Sequence, residues 1–145
     1  MSEKYYTQME AARKGIITEE MRAVARKEYR TEEEIRDLVA KGQVAICANK
    51  RHKCLDPNGV GSMLRTKINV NLGVSKDCKD YEVEMEKVMA AVNMGAEAIM
   101  DLSSHGNTQP FRRKLTQECP AMIGTVPVYD LSLIHISEPT RLDVI

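Results

Sequence analysis

Apolar positions recur at helical spacing through the first forty residues. Thr18 is placed to cap a helix whose first turn holds Glu19 and Glu20. Its inner face carries Met21, Val24 and Ala25, and its later part Arg26 and Lys27. Thr31 and Glu34 have capping-box spacing ahead of Ile35, Leu38 and Val39, with Lys41 in the last turn and Gly42 as terminator. After Gly42 the period shortens. Residues 44–47 are a short apolar run of strand type, and residues 49–61 read as a polar loop broken by Pro57, Gly59 and Gly61. The KINVN stretch, 67–71, alternates as a half-buried strand does. Asp80 caps a helix that shows Met85, Val88, Met89 and Val92 on one face and stops at Gly95. A strand over 98–100 follows, then a weaker helix over 108–118 broken near its start by Pro110. The last element is a strand over 123–128 containing Pro127.

The expected strand ends fall at Asn71, Met100 and Tyr129, at equal intervals of 29 residues. A strand, a crossover helix and two loops need about 30 residues, so the spacing predicts consecutive parallel β/α units. No GxGxxG or Walker loop follows any of these strands, which favours a barrel over a doubly wound sheet. The expected fold class is therefore α/β: N-terminal helices (1–42), then the first strands and helices of an incomplete (β/α)8 barrel (43–130). The pattern fails beyond Asp130. Residues 131–141, LSLIHISEPTR, are what a transposase-based sequencing adapter encodes in one frame. Residues 131–145 are accordingly read as a non-native tail, which removes His135 from the candidate ligands.

Composition adds few constraints. Twenty-one basic and 21 acidic side chains cancel, so no global field favours nucleic acid or an anionic membrane. No apolar run approaches the ~18 residues of a membrane span, and the first ten residues lack the apolar stretch of a secretory signal. The expected location is cytoplasmic. Cys47, Cys54, Cys78 and Cys119 contain no CxxC pair, so their spacing gives no metal site within these residues.

Five stretches, in this order and spacing, resemble the phosphomethylpyrimidine synthase family: TQMEAARKGIITEEMRAVA, VAICANKRHKCLDP, KINVNLGVS, GAEAIMDLS and AMIGTVPVYD. They span residues 7–130. The resemblance implies radical chemistry driven by S-adenosylmethionine and a 4Fe-4S cluster. That chemistry turns 5-aminoimidazole ribonucleotide into 4-amino-5-hydroxymethyl-2-methylpyrimidine phosphate for thiamine, with formate and carbon monoxide released. It also implies a divalent metal (zinc or iron), a (β/α)8 barrel and a homodimer. The family's substrate-binding positions fall on Asn71, Met100 and Tyr129, the three residues picked out by the spacing. An amide can donate and accept along a nucleotide's polar edge, a tyrosine hydroxyl can reach a phosphate or ribose oxygen, and a methionine can line an apolar wall. The metal-binding histidines and the CxxCxxxxC cluster motif would lie beyond Asp130, so this chain alone is expected to hold neither and to be inactive. His52, in the NKRHK loop, and His105, in SSHGN, read as loop residues; the His105 turn departs from the family's usual small, Gly-containing turn, although Gly106 can supply it.

Two other readings compete. A barrel enzyme acting on a sugar phosphate would need a catalytic lysine or carboxylate at a strand end, and Asp101 is the only good candidate. A non-catalytic α/β binding module would show a cooperative melt of residues 1–130.

Overall fold

In the computed structural model, which describes residues 4–129, the chain forms two compact units that meet at Lys67 and Ile68. The first begins with three helices, α1 (Gln8–Arg13), α2 (Glu19–Glu28) and α3 (Glu32–Ala40). Each starts where a threonine can satisfy a free backbone N–H: Thr7, Thr18 and Thr31 accept from the amides of Glu10, Met21 and Glu34. The Thr31–Glu34 capping box is complete in both directions. Helix α3 closes at Lys41, and Gly42 takes a positive φ of 72° beyond it. Ala11, Ala12, Met21, Val24, Ala25, Ile35, Val39 and Val44 make one buried core.

Strand β1 (Val44–Ile46) pairs antiparallel with β2 (Gly59–Gly61), so the stretch read as a loop ends in a strand. Glycines hid it. Gly61 has φ 150° and lies so near Gln43 that an added Cβ would come within 2.1 Å of its carbonyl oxygen. Because β1 pairs locally and packs with the helical core, the compact unit runs 25 residues past the boundary expected at 42 and 43.

The second unit is a parallel three-stranded sheet in the order β3 (Asn69–Leu72), β4 (Ala98–Asp101), β5 (Met122–Thr125). Helices α4 (Tyr81–Asn93) and α5 (Gln109–Glu118) follow β3 and β4. Asp80 caps α4 by accepting from the amides of Glu82 and Val83, and Gly95 ends it at φ 93°. Pro110 does not break α5; it sits in the first turn, where its missing N–H costs nothing. Val70, Leu72, Ile99 and Ile123 pack with Met85, Val88, Phe111 and Leu115 in a second core.

The last strand also departs from expectation. Strand β5 stops at Thr125, and Pro127 opens a helical turn over residues 127–129. Proline has no amide to continue the ladder, so it ends the strand early. Tyr129 is therefore four residues past the strand, with its N–H donating to the Val126 carbonyl. The structure is mixed α/β, with two small sheets and no closed barrel among the described residues.

Candidate functional site

Period-two alternation gives the parallel sheet two unlike faces. One carries Val70, Leu72, Ile99, Ile123 and Asp101 toward α4 and α5. The other carries Asn69 and Asn71 from β3, Ala98 and Met100 from β4, and Gly124 from β5. Asn71, Met100 and Gly124 are direct Cα partners in one row across the three strands. Register thus brings two of the three expected site residues side by side. Tyr129 stays outside the row, beyond β5, two-fifths exposed.

The row has internal contacts. Asn69 Nδ2 donates to Asn71 Oδ1 at 2.9 Å, which engages the Asn71 side-chain carbonyl. The Met100 side chain crosses to β5 and lies over Gly124. A Cβ there would meet its Cε at 2.8 Å and its Sδ at 2.9 Å. Spacing could not reveal this third member of the row, because Gly124 lies 24 residues after Met100 rather than 29.

The loops at the C-terminal strand ends are fastened from the helix side. Gly73 has φ 144°, and a Cβ on it would stand 2.4 Å from the Ser103 amide nitrogen; only glycine lets these loops touch. Its N–H donates to Glu84 Oε2 at 2.9 Å, and the Val74 N–H donates to Ser103 Oγ at 3.1 Å. Glu84 Oε1 accepts from Lys87 Nζ at 2.5 Å, a bond that raises the lysine's pKa above its usual value against the opposing effect of desolvation. Asp101 is fully buried. It accepts from the Ser103 amide at 2.9 Å and from Arg112 Nε at 2.8 Å. Tyr81 stacks obliquely on Phe111, its ring centroid 5.3 Å away, and donates to the His105 carbonyl. Burial lifts its phenol pKa, and the Asp101 charge adds to the rise against the opposing pull of Arg112. Gly106 does adopt the positive φ, 77°, that the turn after His105 requires.

Asp101 therefore fastens α5 to the end of β4 and does not face the open side of the sheet. That placement removes the carboxylate on which the sugar-phosphate reading depended. Of the other sequence candidates, His52 lies buried in the first unit, on the wall of an open cavity of about 490 Å³ with Glu19, Arg26, Lys50 and Lys53. No cluster of three His, Cys, Asp or Glu side chains among the described residues is arranged to hold a metal. No helix among them is long and apolar enough to cross a membrane. Residues 131–145, including His135, lie outside the described residues.

Comparison with known proteins places the chain in a family. The sequence matches the model of the Radical SAM ThiC family over residues 7–143. The chain belongs to this family. Phosphomethylpyrimidine synthase of Alkaliphilus oremlandii is 57% identical over 98% of the chain, and that of Clostridioides difficile is 62% identical over 97%. The Clostridium botulinum (strain Hall) enzyme is 60% identical over 87%. The chain covers 34%, 34% and 29% of these three relatives, about a third of their length. Both the family match and the two longest alignments run past Asp130 into the segment read as adapter.

Proposed function

We propose that this chain is the N-terminal part of a phosphomethylpyrimidine synthase and that its parallel sheet supplies one wall of the substrate pocket. The completed enzyme takes 5-aminoimidazole ribonucleotide to the hydroxymethylpyrimidine phosphate of thiamine through a radical generated from S-adenosylmethionine, a carbon–carbon lyase reaction. The reading is supported by the row in which Asn71 and Met100 are Cα partners on the face that the helices leave open. Three sequential parallel strands with helices on one side suit the opening of a (β/α)8 barrel, a fold whose chemistry sits at the C-terminal strand ends. Asn71 would present its amide hydrogens to the nucleotide, Met100 its thioether, and Tyr129 its hydroxyl from the turn above the rim.

The 4Fe-4S cluster and the divalent metal, zinc or iron, would be held by residues beyond this chain. The four cysteines here are dispersed over both units, and Cys119 is buried in the second core. A cytoplasmic homodimer is the proposed setting. We take residues 131–145 as adapter-derived, on the eleven-residue match to its translation.

The test is the genomic reading frame downstream of codon 130. A frame that continues through a CxxCxxxxC motif, and whose product makes 5′-deoxyadenosine and the pyrimidine, supports the proposal. A frame that encodes LSLIHISEPTR and then stops overturns both the tail assignment and the function. The 145-residue chain, reconstituted with iron and sulfide, is expected to show no 4Fe-4S absorption and no product.

A further inference from the structure

We infer that Gly124 is a positioning residue for substrate binding, one that acts by leaving room for the Met100 side chain. The inference deepens the proposed function and rests on it. Gly124 stands next to Met100 in the cross-strand row, on the face opposite the helices. Its φ lies outside the left-handed region, so the backbone there does not demand glycine. What demands it is space. An added Cβ would come within 2.8 Å of Met100 Cε and 2.9 Å of Sδ, closer than carbon and sulfur atoms pack.

The obstruction is the free end of a flexible side chain, which can swing away at little cost to the fold. Gly73 and Gly61, by contrast, are flanked by backbone, which cannot swing aside. Gly124 is flanked by a proposed ligand-contacting group instead. With Gly124 in place, Met100 lies across β4 and β5 and leaves the space above Asn71 on β3 to the ligand. With a side chain at 124, the thioether is pushed up into the volume the nucleotide needs.

The experiment uses the complete protein from the native reading frame, with methionine methyls labelled with carbon-13 and the Met100 resonance assigned through Met100→Leu. Gly124→Ala is expected to shift the Met100 methyl resonance, to leave the melting temperature within about 2 °C, and to weaken 5-aminoimidazole ribonucleotide binding roughly five- to tenfold. The loss should appear in KM with kcat largely kept. Val70→Ala, on the helix side of β3, serves as the structural control: it should lower the melting temperature while leaving the Met100 resonance and the affinity in place. An unmoved methyl resonance, or a shifted one with wild-type affinity, overturns the inference while nucleotide binding by the parent protein keeps the proposed function standing. A parent protein that does not bind the nucleotide overturns both.

Discussion

At the scale of single residues, the strongest internal fixings are polar groups buried with their partners. Glu28, at the end of α2, has a side chain only 1% exposed; it accepts from Lys67 Nζ at 2.5 Å and from the Arg65 amide at 2.8 Å. Burial pushes its carboxyl pKa up, but the Lys67 and Arg65 hydrogen bonds and charges outweigh this and hold it below the ordinary carboxylate value. A carboxyl depressed on folding stabilises fully above its unfolded pKa, and that contribution fades as pH falls through the folded one. Glu28→Gln leaves the Lys67 ammonium, itself 6% exposed, with the Arg65 carbonyl at 2.7 Å but no opposite charge, and should destabilise the first unit by on the order of 3 kcal/mol. Urea titrations of the completed protein and its variant at neutral pH and near pH 3 check this: the gap between them should narrow in acid. In the sheet, Gly73→Ala forces both a left-handed φ and a clash with the Ser103 backbone, and should cost more than about 3 kcal/mol by the same measurement.

At the scale of elements, the helices were legible because their signals are local. Thr18, the Thr31–Glu34 box, Asp80, Gly42 and Gly95 all act within a turn of their own position, and each does the expected work. Thr31→Ala should cost about 1 kcal/mol in a thermal melt of the completed protein. The cap at the far end of α2 was not foreseen. Tyr29 takes φ 53° with its side chain 93% exposed, a conformation that glycine adopts without strain. Tyr29→Gly should therefore stabilise by about 0.5–1 kcal/mol. Strand limits were harder to see, since they depend on partners distant in sequence. The Gly59–Gly61 strand exists only because β1 lies beside it, and β5 ends at Thr125 because Pro127 withdraws an amide. Hence the interval from Asn71 to Met100 marks true cross-strand neighbours, while the equal interval to Tyr129 does not.

At the scale of the molecule, the chain has two units with separate cores, and in the second the sheet's two faces are unlike. Helices cover one face of its sheet. The other shows Asn69, Asn71 and Met100. In a closed barrel that face is an interior filled by the opposite strands. The 145-residue chain should thus associate or melt without a sharp transition in calorimetry, whereas the completed protein should melt cooperatively.

The central claim is that the open face carries Asn71 into a nucleotide pocket once the barrel is complete. Calorimetric titration of the completed protein with 5-aminoimidazole ribonucleotide, set beside its Asn71→Ala variant, tests it most directly. The account predicts saturable binding that weakens roughly tenfold or more in the variant, as the loss of a buried hydrogen bond demands. Equal affinity of the two proteins, both folded, would contradict it.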